Sequence, residues 1–544
     1  MLIALRSTSA GVETTEISDE GESGNAIVIP EAELPGWVAA REPQRPRWVW
    51  NDTSRWYPPL LAAGVRVERC VDLRLCHTIL RNAAATASSP FATADPDDWD
   101  APPPTRAAAA SDALFDLDPL PDEDDPVAEW QRQRDAVAGA GDDGRLALLL
   151  AAESVGALVA AEMSFVGLPW SASLHDQVLV EILGPRVPNG RPVRLEALTA
   201  RIRELLDAPN LNPDSQQDLL KTLQHAGFRV ESTSKWELKE IEHPAVEPLL
   251  EYKSLSRLLS ANGWHWLEEW VHDGRFRPVY VPGGVVTGRW ASDGGGALQL
   301  PKQVRSAVVP DPGWRFVVAD ASQLEPRVLA AMSGDRAMAR AGQASDMYQG
   351  MVDTGAVETR SQAKYGMLGA IYGGTTGESG RMRPRIEKAF PAAMAYVEAA
   401  ARAGEHGDVV STWLGRSSPP GRGLWYDETA SGVEQRRTQQ RAAAWGRFTR
   451  NFVVQGTAAE WALCWMGSLR RRLWSLGGST LAEKPHLAFF LHDELLVHTP
   501  SLLAEEVAVA MRESAAEAGR LLFGSVPVEF ALSVAIVDRY SDAK

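Results

Sequence analysis

Cysteine is nearly absent: Cys70, Cys76 and Cys464 are the only three in 544 residues. Thiols so few and so scattered exclude a disulfide framework or a four-ligand zinc site and read as small buried side chains. Also missing is any run of the roughly 18 apolar residues that a membrane helix needs. The N-terminus lacks the basic start and long apolar stretch of a secretory signal. The chain is therefore expected to be cytoplasmic, without a membrane partner. Positive charge is in deficit too, with a net −16, which argues against partners rich in phosphate. That deficit is local. Residues 1–153 hold 27 Asp and Glu against 13 Lys and Arg, and the remainder holds 44 against 42. Within the near-neutral remainder, Arg416, Arg422, Arg436, Arg437, Arg441, Arg447 and Arg450 form a basic run. It is either the lining of a nucleic-acid channel or a solvated face.

A chain of this length exceeds one hydrophobic core, so several domains are expected. Residues 1–80 alternate short apolar runs with helix-like pieces and read as a small α/β unit. From about 82 to 126 the composition turns to Ala, Pro, Ser and Asp, which buries too little apolar surface to offset ordering entropy and reads as a linker or mobile loop. Helical pieces follow, and no internal repeat of fixed period is present.

The chemistry-bearing residues lie further on. In RFVVADASQLEPRVLAAM a strand pattern ends at Asp320 and a helical pattern begins. In LAFFLHDELLVHT two β-prone runs flank His492, Asp493 and Glu494, a tight hairpin with carboxylates at its tip. Either segment alone is equally a polar turn. Together they supply two hard oxygen donors from separate strand ends, a set that suits Mg²⁺, which keeps its other positions for water and phosphate. A third segment, RSQAKYGMLGAIYGG, sets Arg360, Lys364, Leu368 and Tyr372 at i, i+4 spacing on one helix face. Two cations followed by an apolar and an aromatic residue match a nucleoside triphosphate lying along the helix. An amphipathic helix with exposed basic residues would show the same pattern.

In their order along the chain the three segments resemble motifs A, B and C of the DNA polymerase I type, family A. Asp320, Ser322, Gln323, Glu325 and Arg327 match motif A; Arg360, Lys364 and Tyr372-Gly373 match B; His492-Asp493-Glu494 match C. Thr287-Gly288-Arg289 and Leu298-Gln299 precede motif A, Gly415-Arg416 follow motif B, and Arg447, Asn451 and Gln455-Gly456-Thr457-Ala458-Ala459 precede motif C, where the family has them. The similarity spans about residues 150–544.

The resemblance implies a multi-domain α/β right hand, with thumb at about 150–275, palm at about 276–335 and 451–544, and fingers at about 336–450. Residues 1–149 would be a reduced exonuclease-like α/β domain. The implied activity is template-directed extension of a primer 3′ end with dNTPs by two-metal phosphoryl transfer, in repair or gap filling, by a monomer on primer–template DNA. Asp320, Asp493 and the Ala321 carbonyl would hold two Mg²⁺ ions, which Mn²⁺ could replace, with Glu494 assisting. Arg360 and Lys364 would neutralise phosphate charge. Glu325, Gln323, Leu368, Tyr372 and His492 would surround the nucleotide and primer end, Glu325 excluding a ribose 2′-hydroxyl. Arg289, Gln299, Arg327, Arg447, Asn451 and Gln455 would face the DNA.

There are departures. Ala321 stands where the family has Tyr, Pro326 where it has an aliphatic residue, and Leu368 where it has an aromatic. Ser322-x-x-Glu325 also fits a capping box. In the N-terminal region only Asp72 matches an exonuclease acid, so no proofreading is expected, and nothing resembles the 5′ nuclease domain. A bifunctional enzyme with active exonuclease, a single-subunit RNA polymerase and a catalytically dead DNA-binding scaffold stay as alternatives.

Overall fold

Alternating side chains in the first strand, Leu2–Thr8 (β1), already need cover on two faces. The computed structural model describes residues 1–544 except 19, 102–124, 189, 375–376, 422–431 and 544. Arg422 and the 102–124 part of the expected loop thus lie outside the described residues. These divide into a first unit, Met1–Val166, Val279–Asp293 and Val317–Ile536, and a second, Gly167–Pro278, Gly294–Phe316 and Val537–Lys544.

In the first unit β1 pairs antiparallel with β2 (Gly11–Ile17) and parallel with β4 (Arg47–Trp50). With β3 (Ile27–Ile29) and β5 (Arg69–Asp72) the sheet order is β3-β2-β1-β4-β5. Ile3, Leu5, Trp48 and Trp50 pack on one face with Tyr57 of helix α1 (Thr53–Ala62). Ala4 and Val49 pack on the other with Leu73 of α2 (Leu73–Asn82) and with Trp99. Trp99 belongs to the stretch read as a mobile loop, and here the structure corrects the sequence: residues 84–101 are folded. Phe91 and Trp99 are 5% and 7% exposed, and Arg81 donates to the carbonyls of Phe91, Ala92 and Ala94 and to both oxygens of Asp100. Two aromatic anchors and one multidentate arginine outweigh the disorder-prone composition around them.

After α3 (Pro126–Gly139) comes α4 (Arg145–Val166). It is long and apolar enough by composition to cross a membrane, but 67% of its 18-residue window is buried inside the protein. Its two acids meet partners there. Glu162 accepts from the Tyr57 hydroxyl at 2.6 Å and from Arg470 at 2.7 and 2.9 Å, and Glu153 pairs with Arg416. The expected thumb boundary near residue 150 bisects this helix, which belongs to the first unit because its apolar surface covers the sheet.

A second sheet in this unit has the order β7-β8-β6-β9, from β6 (Trp314–Ala321), β7 (His486–Leu491), β8 (Glu494–Pro500) and β9 (Leu532–Val537). Helices α5 (Leu324–Ser333), α6 (Arg360–Tyr372), α7 (Gly377–Ala389) and α8 (Pro391–Glu405) lie between β6 and β7 in the chain. They are followed by the 43-residue α9 (Gly432–Trp474), through which the expected fingers–palm boundary at 450 runs, and by α10 (Ala504–Phe523) after β8. One buried carboxylate joins two helix starts: Asp335 Oδ1 accepts from Ala337 and Met338 N–H, and Oδ2 from Ala392 and Ala393 N–H.

The second unit is mostly helical, with a small sheet of Leu168–Pro169, Arg275–Phe276 and Val271–His272. Trp170, His175, Trp266 and Phe276 cluster in it. Burial pushes the His175 pKa down to about 4.

Candidate active site

Strands β7 and β8 are joined by a two-residue turn, with Leu491 opposite Glu494. His492 takes a left-handed φ of +58° and is exposed, and Asp493 is half-buried beside it. Next to this turn lies the end of β6, whose penultimate residue Asp320 is also half-buried. The two ends are bonded: the Ala321 N–H donates to the Asp493 carbonyl at 2.9 Å. Asp320 and Asp493 are thereby placed at neighbouring strand ends of one sheet. Glu494 is not at the tip. It is 4% exposed as the first residue of β8, inside the strand pairing and not in the solvated turn.

Beyond Asp320 the chain turns through Gln323, whose φ of +51° starts α5 without a side-chain cap. The capping box does not form. Ser322 Oγ lies 3.1 Å from Ser533 Oγ, while Glu325 accepts from Arg289 Nη2 at 2.6 Å and from the Tyr372 hydroxyl at 2.7 Å. Glu325 therefore links the Thr287-Gly288-Arg289 segment, motif A and the end of α6. Gln323 Oε1 accepts from the Met347 N–H at 3.1 Å.

Helix α6 begins after Thr359, whose side chain accepts from Gln362 N–H. Arg360 is exposed and its Nε donates to Asp346 at 2.6 Å. Lys364, one turn on, is exposed and has no hydrogen bond or ion pair among the described residues. Leu368 is half-buried and Tyr372 is exposed at the helix end. Asp346 was not marked in the sequence; its only signal is its place as N-cap of the next short helix.

Three scattered motifs meet at one point. Thr287 Oγ1 donates to Gln455 Oε1 at 3.3 Å. A Cβ at Gly288, where φ is +82°, would lie 2.5 Å from Arg416 Nε, and one at Gly456 would lie 2.4 Å from Thr412 Cγ2 and 3.1 Å from the Thr287 carbonyl. Only glycine fits either position. On the same helix Arg447 is exposed and Asn451 half-buried, and a Cβ at Gly373 would come within 3.1 Å of Arg447 Cγ. Arg289, Arg447, Asn451 and Gln455 thus gather beside Glu325 and Tyr372. Gln299 belongs to the second unit, exposed at the end of the turn Ala297–Gln299.

One expected DNA contact is corrected. Arg327 is 1% exposed, and its guanidinium donates to the carbonyls of Ser322, Gly342, Ala344, Ser345 and Glu529. All its donors are committed to the backbone, so it shapes the loop behind the acids and offers nothing to a phosphate. The basic run divides likewise. Arg416 is half-buried in a pair with Glu153 and Arg450 buried in one with Glu398, whereas Arg436, Arg437, Arg441 and Arg447 are exposed on α9.

Residues 192–539 match the family model described as DNA polymerase family A. The chain belongs to that family. Its relatives include the thermostable DNA polymerase I of Thermus thermophilus, 30% identical over 366 residues, covering 62% of this chain and 41% of that protein. DNA polymerase I of Chloroflexus aurantiacus is 30% identical over 333 residues, 56% of this chain and 33% of that one. The chain thus spans well under half the length of these relatives. Among solved structures, the POL domain of Pol1 from M. smegmatis, in complex with DNA primer-template and dNTP, shares the fold at a TM-score of 0.69 and 18% identity, covering 99% of this chain and 95% of that one.

Family A polymerases use divalent metals, and the acids of this family A chain fit such an ion: two hard carboxylates fixed at adjacent strand ends by a backbone bond, in a half-buried position. The N-terminal region differs. Asp72 is 2% exposed, and its carboxylate accepts from Thr53 N–H at 2.8 Å and Leu75 N–H at 3.1 Å, capping α2. Burial, and then the charge of Asp52, push its pKa up to about 7. Among the described residues one His/Asp group, His77, Asp97 and Asp100, has ligating atoms within 4.8 Å of one another; Arg81 and Arg132 already hold its carboxylates.

Proposed function

We propose that this chain is a template-directed DNA polymerase that extends a primer 3′ end with dNTPs. The observation that carries the reading is the Ala321–Asp493 backbone bond, which sets Asp320 and Asp493 side by side at the open end of a sheet. In this reading the sheet β6–β9 is the palm, α6 to α8 belong to the fingers, and the second unit contains the thumb. Asp320, Asp493 and the Ala321 carbonyl would hold two Mg²⁺ ions, which when bound supply Lewis acidity to the 3′-hydroxyl and the leaving phosphates. Lys364, exposed and uncommitted, meets the triphosphate and neutralises charge on it, and Arg360 does so on leaving Asp346. Glu325, fixed from both sides, fills the volume beside the sugar. Arg289, Arg447, Asn451 and Gln455 present donors to purine N3 and pyrimidine O2, acceptors common to every base pair, so pairing is sensed without reading sequence.

Primer extension by the purified chain tests this. Asp320→Ala and Asp493→Ala are expected to abolish extension with Mg²⁺ or Mn²⁺ while primer–template binding persists, since phosphate contacts elsewhere position the DNA. Substantial synthesis by either variant overturns the metal assignment. A wild type that binds DNA and extends nothing would leave the scaffold reading in its place.

A further inference from the structure

A cavity of about 380 Å³ in the first unit is lined by residues of α4, α9 and α10 and of the segment before and in β5. Its lining has two chemistries. One side is basic, with Arg45, Arg66, Arg69, Arg470 and Arg471 against the carboxylates of Glu68 and Glu517. The other is apolar, with Leu148, Val155, Leu521 and Trp474. Five guanidinium groups against two carboxylates leave a local surplus of positive charge in a chain whose net charge is −16.

Not all five are committed. Arg470 donates to Glu162, to the Tyr57 hydroxyl and to the carbonyls of Val67 and Glu68, Arg45 makes two bonds to Glu68, and Arg471 bonds Glu517. Arg66 is different. Its side chain is 6% exposed, its Nε lies 3.3 Å from Glu162, and its Cζ stacks 4.4 Å from the centre of the Trp474 ring, which Lys484 Nζ also approaches at 4.7 Å. Its Nη2 is buried with no hydrogen-bond partner among the described residues. Burial, and then the neighbouring Arg470 charge, lower its pKa. A buried guanidinium nitrogen without an acceptor is costly unless a ligand supplies one. Arg69 is exposed at the same cavity and donates to the Arg45 carbonyl.

We propose that this cavity binds a nucleoside monophosphate, with the phosphate on Arg66 and Arg69 and the base against the apolar side formed by Leu148, Val155 and Leu521. Guanidinium forks match phosphate oxygens, an aliphatic wall matches a base, and the volume is at the low end for small-ligand sites, about 300–1,000 Å³. The cavity shares no residue with the site around Asp320 and Asp493.

Calorimetric titration of the full chain at low salt with dAMP, deoxyadenosine and inorganic phosphate decides the matter. dAMP is expected to bind with a Kd below about 1 mM, and each of the other two at least about tenfold more weakly. Arg66→Met is expected to weaken dAMP at least tenfold. Because that residue is buried, Arg69→Glu provides the same test at an exposed position, and it should leave primer extension unchanged. Absence of dAMP binding, dAMP no tighter than phosphate, or equal binding by Arg69→Glu and wild type would each overturn the proposal, the last by placing the nucleotide at the polymerase site instead.

Discussion

The Tyr372 hydroxyl donates to Glu325 Oε2 at 2.7 Å, joining the last residue of α6 to the first turn of α5. With Arg289 on the other oxygen at 2.6 Å, the carboxylate is held from both sides. A side chain fixed in this way excludes volume and does not yield when a larger group presses on it.

Glu325→Ala should therefore raise incorporation of rNTPs relative to dNTPs by about tenfold or more, equivalent to about 1.4 kcal/mol of lost discrimination. Tyr372→Phe keeps the ring and removes one of the two restraints, so a smaller change in the same direction is expected, with a stability cost of about 1 kcal/mol. Single-nucleotide incorporation with paired rNTP and dNTP substrates checks both. Unchanged selectivity in Glu325→Ala would reduce that residue to a tie between elements.

Arg327 gives the opposite pattern. Replacing it with Met removes the donors to five carbonyls around the loop behind motif A. The expected loss is about 3 kcal/mol, seen as a lower midpoint in urea. Folded variant at low temperature should bind primer–template as the wild type does. A selective loss of DNA affinity at unchanged stability would restore Arg327 to the DNA interface.

Motif spelling makes these two residues look alike, and only burial separates them. The strand-end positions of Asp320 and Asp493 were legible because each follows an apolar β-prone run, and it was the order of the three motifs, not either segment alone, that set these acids apart from polar turns. Arg327 was not, since a matching arginine can face phosphate or carbonyls with no change in spelling. The folded stretch 84–101 was hidden for another reason: its composition is that of a disordered linker, and Phe91 and Trp99, which hold it, weigh little in any average. The meeting of Gly288 with Arg416 and Gly456 with Thr412 depends on contacts more than a hundred residues apart in one case and over forty in the other, which no local pattern records.

The buried Glu460 predicts a pH response. It accepts from the Thr412 hydroxyl and the Leu414 N–H, and burial pushes its pKa up to about 7. A carboxyl whose folded pKa lies above its unfolded value of about 4.3 binds its proton more tightly when folded, so its contribution to stability falls as pH rises from about 4.3 to about 7 and is level above that. Glu460→Gln can accept from Leu414 through its oxygen and donate to Thr412 through its nitrogen. The variant should lack that decline and be more stable than wild type at pH 8. Melting curves from pH 5 to 8 compare them; parallel profiles would show that Glu460 is ionised throughout.

No proofreading is expected. Both oxygens of Asp72 are committed to backbone N–H groups at 2.8 and 3.1 Å, so Asp72 stabilises α2, and among the described residues it belongs to no group of three metal-ligating side chains such as two metal ions need. A primer with a 3′ mismatch, held with Mg²⁺ or Mn²⁺ and no dNTPs, should stay at full length, and Asp72→Ala should lower the melting temperature without altering extension at low temperature. Stepwise shortening that is lost in Asp72→Ala and kept in Asp493→Ala would reveal an exonuclease.

The unbroken helix α9 sets a phase as well as a position. Gln455, midway along it, meets Thr287, and Arg470, fifteen residues later, inserts among Glu162, Tyr57 and Val67. A helix turns about 100° per residue, so one residue added or removed between these two anchors would swing one of them to another face of the rod. Length is thus locked between 455 and 470. Toward the start of α9, where Arg436, Arg437 and Arg441 project into solvent, a whole turn can be gained or lost without dephasing either anchor, and that is where variation in the length of this helix among relatives has room to accumulate.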